Sequence, residues 1–223
     1  KELRPVPEGV TAESIYEKYI EALGGRSKLE KVKSLYREMS MEVAGAPMEL
    51  LMVSAKQKGM FLQEIKMGEN VVQKQVFDGK NGKSGGMMGS KELTEEDLEN
   101  MAKEAELFPV LNYNDEGNSF RVDGIEEING SDAYKVMITD KDENTSVEYF
   151  DVESGLLVKS IQTVEGENGE SQTITTEVNS YTEVDGIMFR DEVLQTAGEQ
   201  SFTIRNKETR VNDKLDKKMF AVK

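Results

Sequence analysis

The chain has 223 residues, of which 37% are hydrophobic and 32% are charged, and its formal net charge is −15. This length suits one large β domain with a core of its own. The negative charge disfavours binding to nucleic acid and to anionic membrane surfaces. No apolar run approaches the roughly 20 residues of a membrane helix, so no transmembrane segment is expected.

The chain contains no Cys, no His and no Trp. Catalytic sites of the Ser-His-Asp and Cys-His types are therefore excluded, and so are ordinary zinc sites. Asp140, Asp142 and Asn144 have the spacing of a calcium loop, but Thr145 stands where that loop requires Gly, so a solvated hairpin tip is expected there. We therefore expect a non-enzymatic protein without cofactor or metal. Because the chain begins at Lys1 rather than Met and shows no signal peptide, we interpret it as a processed or excised fragment.

The N-terminal half of the chain contains the signals for an arm and two helices. Residues 1–9 contain Pro5 and Pro7 without periodicity, which predicts an extended arm or linker before a single domain at 10–223. Thr11 is a predicted cap for a helix through Leu23. A second helix is predicted from a Thr94 cap to about Leu107.

Between and after these helices, apolar residues recur at every second position, which is typical of strands. The segment Val147–Ile161, two such runs around a turn ending at Gly155, predicts an antiparallel hairpin. Residues 78–90 are rich in Gly and Lys, and we expect a mobile loop there without a strand. The predicted strands are 35–43, 48–55, 60–67, 71–77, 120–128, 133–139, 147–151, 156–164, 172–182, 187–195 and 202–211.

About eleven strands in sequential order are too many for a flat sheet, because strand twist accumulates and makes a large sheet curl. The predicted fold class is therefore mainly β with α. We expect an open (unclosed) antiparallel β-barrel with the helices packed in its mouth.

Four segments resemble periplasmic lipoprotein carrier (LolA-like) and outer-membrane lipoprotein-sorting domains of Bacteroidetes type. The opening helix ends in Glu-Ala-Leu-Gly-Gly at Gly25, and the similarity continues through Arg26 to Leu35. The others are the strand ending in Asp-Gly at 76–79, the hairpin at 122–136 and the stretch 150–159. The resemblance implies a bacterial-envelope protein, periplasmic or associated with the outer membrane, with an apolar cavity for lipid or lipid-anchored protein.

The methionines, twelve in all, concentrate in the first four strands and the loop and helix after them. Methionine adapts to varied apolar ligands, although ordinary core packing explains such residues equally well. On the lipid-binding interpretation we expect the cavity to be lined by Met39, Met41, Leu50, Met52, Phe61 and Ile65. We expect it to be covered by Met87, Met88, Leu98 and Met101.

A second interpretation remains open from the sequence. Some domains of the resembled family follow a secreted insulinase-type zinc peptidase, and an arm with Pro5 and Pro7 suits such a junction. The chain would then be a protein-interaction or accessory domain of that peptidase. Its own helices would fill its cavity, and it would have no ligand of its own.

Overall fold

The computed structural model describes residues 3–43, 45–87, 89–114, 117–141, 143–165 and 171–222. Its helices are α1 (Ala12–Leu23), α2 (Arg26–Leu29) and α3 (Glu95–Glu104). Shorter 3-10 turns form at Gln57–Gly59, Pro109–Asn112 and Lys217–Phe220. Within this described part of the chain no helix is long and apolar enough to cross a membrane.

The described residues form thirteen strands in one antiparallel sheet. Its strand order is β6-β5-β4-β3-β2-β1-β13-β12-β11-β10-β9-β8-β7, which is linear, so the sheet is unclosed. The predicted mainly-β fold with an unclosed antiparallel sheet and few helices is confirmed. The strands are β1 (Ser34–Val43), β2 (Ala46–Ala55), β3 (Met60–Met67), β4 (Asn70–Phe77), β5 (Gly82–Gly86), β6 (Gly89–Lys91), β7 (Ser119–Ile128), β8 (Ser131–Thr139), β9 (Thr145–Asp151), β10 (Leu157–Glu165), β11 (Ser171–Val184), β12 (Ile187–Ala197) and β13 (Gln200–Val211).

Two compact units share this chain. Unit 1 comprises Lys1–Arg26 and Val110–Thr203, and unit 2 comprises Ser27–Pro109 and Ile204–Lys223. Unit 1 therefore contains α1 with β7 to β12, and unit 2 contains α3 with β1 to β6.

Unit 1 is built around α1. Thr11 caps this helix as predicted, because its Oγ1 accepts a hydrogen bond from the Ser14 N–H at 3.1 Å. The buried residues of the helix form the predicted apolar stripe. They are Ile15, Tyr16, Tyr19, Ile20 and Leu23.

The predicted hairpin at 147–161 is present as β9 and β10. Its turn is held by Asp151, whose Oδ1 accepts hydrogen bonds from the Ser154 N–H and hydroxyl at 2.7 Å each. Gly155 takes a positive φ of 77°, a conformation that glycine adopts without steric cost. The turn lies against α1, because the Lys18 ammonium donates to the Val152 carbonyl oxygen at 2.6 Å.

The beginning of the described chain lies along β7, the strand at one end of the sheet order. The Arg4 N–H donates to the Ile125 carbonyl oxygen at 3.0 Å, and the Ile125 N–H donates back to Arg4 at 2.8 Å. The Arg4 guanidinium also pairs with Asp132 of β8. This short bridge covers part of an edge whose unpaired main-chain groups would otherwise invite pairing with another chain.

Unit 2 places apolar residues on both faces of its strands, because antiparallel pairing keeps opposite residues on the same face. On one face the 3-10 turn Lys217–Phe220 covers Val53, Leu62 and Val76, and Phe220 is buried among them. On the other face α3 covers Phe61 and Phe77. Both segments of cover are thus parts of unit 2 itself.

The expectation of a strandless loop at 78–90 is wrong, and so is the count of eleven strands. Residues Gly82–Gly86 form β5 beside β4, and Gly89–Lys91 form β6 beside β5. Glycine has low strand propensity, but it occurs where another part of the chain approaches closely. A β carbon at Gly82 would lie 2.7 Å from Met101 Sδ, and one at Gly86 would lie 2.0 Å from the Val72 carbonyl oxygen.

We predict that Gly86→Ala destabilises the protein more than Gly82→Ala. At Gly86 the added methyl group meets a main-chain oxygen that cannot move alone, whereas at Gly82 it meets the ends of flexible side chains. Overpacking of this kind costs about 1–3 kcal/mol, and we expect Gly86→Ala to reach at least that range. Urea unfolding of both variants measures the difference, and equal losses would contradict the packing explanation.

Candidate functional site

The six residues predicted to line a cavity share one face of the sheet in unit 2. Met39 lies opposite Leu50, and Leu50 lies opposite Ile65, so these three form one cross-strand row. Met41 and Met52 each lie two residues from a member of this row, and Phe61 lies four residues from Ile65. An even separation along a strand keeps side chains on the same face. We name this surface the lining face, and its six residues are Met39, Met41, Leu50, Met52, Phe61 and Ile65.

These six residues differ in depth. Met39, Leu50 and Phe61 are buried, and none of the surface of Phe61 is exposed. Met41, Met52 and Ile65 are only half-buried. A ligand could therefore reach Met41 and Ile65 without displacing the core, whereas Met52 already packs against the cluster of Phe61 and Phe77.

Two of the predicted covering residues lie on α3, over one end of the lining face. Met101 is 4% exposed and packs with Phe61 and Phe77, while Leu98 is partly buried against the same cluster. The capping box between Thr94 and Asp97 begins this helix, as predicted. The start of this helix and its apolar side were thus both predictable from the sequence.

The other two predicted covering residues are Met87 and Met88, of which Met87 lies in the turn after β5. Met87 is 63% exposed, and its N–H donates to the Val72 carbonyl oxygen at 3.2 Å. Met88 lies outside the described residues. The structure therefore joins Leu98 and Met101 to the lining face and leaves the side chain of Met87 largely in solvent.

One cross-strand row of the lining face is polar at every position except Met52. Arg37 lies opposite Met52, which lies opposite Gln63. The row continues through Gln75 to Ser84. It separates the Phe61 end under α3 from the row of Met39, Leu50 and Ile65. Alternation places Arg37 on this face from the sequence, but the partners on β3 to β5 depend on strand register.

Unit 1 holds a second group of residues that sequence reasoning missed, a polar cluster beneath α1 in which Tyr16 is buried and Glu148, Tyr181 and Arg190 are half-buried. The Tyr16 hydroxyl donates to Glu148 Oε2 of β9 at 2.6 Å. Tyr181 of β11 lies opposite Arg190 of β12, and the Tyr181 hydroxyl donates to the Leu157 carbonyl oxygen at 2.8 Å. The Tyr16 ring stacks on Tyr113 with centroids 4.3 Å apart. No sequence motif signals the cluster, because α1, β9 and β12 are far apart in the chain.

Burial controls the ionisation of this cluster. It raises the pKa of Glu148 above its ordinary value, and the hydrogen bond from Tyr16 and the charge of Arg190 offset only part of that rise. Burial also raises the pKa values of Tyr16 and Tyr181. Burial opposes the charge of Arg190, but neighbouring Tyr19, Tyr181 and Glu148 keep its pKa above the ordinary value. The cluster can thus hold a proton near α1.

Metal binding finds no support in the described part of either unit. No group of three or more Asp and Glu side chains there is arranged to hold a metal ion. The buried carboxylate Glu64 is instead neutralised by Lys66 and Lys74, at 2.9 and 2.8 Å.

We predict that Glu148 makes the stability of the protein decrease as pH rises. Its pKa is raised in the folded state, so its contribution is fully present below the ordinary value of 4.5 and is lost as pH rises through the folded-state pKa. The melting temperature of the wild type, minus that of Glu148→Gln, should therefore fall as pH rises above the ordinary value of 4.5. Glu153→Gln, in the exposed turn after β9, is the matched control, and a difference that rises with pH would contradict the prediction.

No family model matches this chain, and no curated protein matches it either. Solved structures do match along nearly its whole length. A DUF1329 family protein from Desulfovibrio piger is 13% identical with a TM-score of 0.61, and the match covers 94% of this chain and 96% of that one.

Two further structures are similar in the same way. A LolA superfamily protein from Nitrosomonas europaea is 15% identical with a TM-score of 0.59, covering 96% of this chain and 99% of that one. A candidate outer membrane lipoprotein-sorting protein domain from Vibrio parahaemolyticus is 16% identical with a TM-score of 0.55, covering 94% and 97%. Such low identity is informative about fold and not about function. The chain therefore has the fold of LolA-like proteins, the group that its sequence segments resemble.

Proposed function

We propose that this protein binds a lipid or the acyl part of a lipoprotein on the lining face of unit 2, without catalysis. The observation that carries the proposal is the placement of six apolar residues on one face, three of them only half-buried. The proposal further places the protein in the periplasm or at the outer membrane of a bacterium, as a carrier-like member of the LolA-like group of Bacteroidetes type. The LolA-like fold supports this assignment.

The physical chemistry of the lining face suits an acyl chain. Each methylene group removed from water contributes about 0.8 kcal/mol, so one chain supplies roughly 8–11 kcal/mol. A bilayer offers the same gain, so a carrier must bind the chain about as well as a membrane does. Methionines at 39, 41 and 52 provide flexible side chains that adapt to such a ligand.

The row from Arg37 to Ser84 adds a polar element to this surface. A ligand lying along Met39, Leu50 and Ile65 would have Arg37 and Gln63 beside it. These groups can pair with a polar head while the apolar row contacts the chain. An amphiphile therefore suits the face better than a pure hydrocarbon.

We predict that Met52→Gln combined with Ile65→Gln weakens binding of a fluorescent fatty acid by roughly 30- to 150-fold. Each substitution replaces a half-buried apolar contact with a polar group, a loss of about 1–1.5 kcal/mol per site. Both residues are only half-buried, so the fold should persist, whereas replacement of the fully buried Phe61 would unfold the α3 end. Fluorescence titration measures the affinity, and circular dichroism checks the fold.

Leu51→Gln is the matched control for that experiment. Leu51 is also half-buried on β2, but it lies on the opposite face and packs against the cluster of Val53 and Phe220. Affinity should be unchanged in this variant. Equal weakening by Leu51→Gln, or undiminished binding by the double variant, would remove the lining face from the site.

A second candidate function has its own observation. Phe61 and Met101 are already packed together by α3, so this end of the lining face is filled by the protein itself. A face filled in this way would suit a protein-interaction module, such as an accessory domain of a secreted insulinase-type zinc peptidase. Native mass spectrometry of the purified protein separates the two functions. Co-purified lipid supports the carrier, and a ligand-free chain that binds a neighbouring peptidase domain supports the module.

A further inference from the structure

The face of unit 2 opposite the lining face carries an open groove of about 510 Å³. Its floor includes Ala55, Met60 and Phe220, which pair or pack on this side of the sheet. Three lysines, Lys33, Lys56 and Lys217, stand at its rim. We name it the basic groove, and Lys31 lies in a depression that shares Lys33 and Lys56 with it.

Three distant segments of the chain are tied together to form this groove. The Lys56 N–H donates to the Lys33 carbonyl oxygen at 2.9 Å, which joins the end of β2 to the start of β1. Asn212, just after β13, accepts from the Lys33 N–H through its Oδ1 at 2.6 Å. The buried Phe220 anchors the turn that carries Lys217. The lysines are therefore held beside one another by main-chain bonds and core packing.

The charge of the groove is opposite to that of the whole chain, which is −15. The groove and its adjoining depression contain four lysines against two carboxylates, Glu30 and Asp213. Arg210 already pairs with Asp213 at 2.7 Å. The Lys56 ammonium donates to the main-chain oxygen of Glu30 at 2.8 Å, which leaves its charge in place. Within the described residues, none of the four lysines forms an ion pair.

We propose that the basic groove docks this protein onto an anionic bilayer surface. Lysine ammonium groups attract anionic lipid headgroups, while lysine stems and an apolar floor suit the boundary between headgroups and acyl chains. The floor offers mainly apolar side chains rather than the strand edge an extended peptide would pair with, which favours a membrane over an acidic peptide. The net charge alone predicts repulsion from such a surface, so docking depends on this local concentration of lysines.

The inference does not depend on acyl binding, because the groove and the lining face lie on opposite sides of the same strands. Ala55 and Met60 are opposite one another on β2 and β3, and their neighbours Ser54 and Phe61 point to the other face. A variant that loses membrane docking should still bind a free fatty acid. Failure of one proposal is therefore distinguishable from failure of the other.

The test is co-flotation of the protein with vesicles of phosphatidylcholine alone or mixed with phosphatidylglycerol. The wild type should bind the mixed vesicles at low salt, and salt should weaken the binding. Lys33→Gln with Lys217→Gln should reduce partitioning on the order of 25-fold, at about 5-fold per lysine near the surface. Lys103→Gln with Lys141→Gln changes the net charge equally at exposed positions outside the groove, and it should have little effect.

Three outcomes would overturn the proposal. One is equal partitioning onto neutral and anionic vesicles, and another is the same loss in the control pair. The third is binding to polyglutamate, lost in the Lys33 and Lys217 variant, with no binding to either vesicle, which would assign the groove to an acidic protein partner.

Discussion

The strand register of unit 2 is the constraint on which both proposed surfaces depend. Side chains alternate between the faces of a strand, so a shift of one residue would exchange every position of the two faces. The observed pairing of Met39, Leu50 and Ile65 assembles an apolar row, and the same pairing sends Leu51 and Glu64 to the other side. One set of strands therefore carries an apolar surface and a basic groove back to back.

Each face of unit 2 has its own cover. A glycine allows α3 to pack closely on one face, and a single aromatic residue anchors the final turn on the other. Gly82 lets α3 approach β5, since any β carbon there would crowd Met101 and Leu98. Phe220 fixes the final turn against Val53 and Leu62. The two covers leave different parts of the sheet accessible. On one face these are the half-buried Met41, Met52 and Ile65, and on the other face it is the lysine rim of the basic groove.

Unit 1 differs from unit 2 in placing charged side chains beneath a helix. A carboxylate without compensation is costly in a protein interior. Glu148 is compensated by the Tyr16 hydroxyl and by the nearby charge of Arg190, and the tyrosine ring is held by its stack on Tyr113. One hydrogen bond to a carboxyl group thus links α1 to β9. Beside this hydrogen bond, the rings of Tyr19 and Phe150 pack against each other and add an apolar contact between α1 and β9.

The sequence by itself determined the local structure of this protein. Caps at Thr11 and Thr94, alternation along the strands and the turn at Ser154–Gly155 are short-range signals, and the elements they predict are present. Alternation also placed the apolar residues of each strand on one side, and the register between strands then brought six of them onto a common face.

Only the tertiary structure decided the features that join distant segments. Glycine-rich β5 and β6 form because neighbouring strands and α3 come close, against local propensity, and the row from Arg37 to Ser84 exists through register. Glu148 is contacted by a helix more than a hundred residues earlier. The lysines meet because the chain end returns to β1. Long-range packing selects these contacts, and no local pattern encodes them.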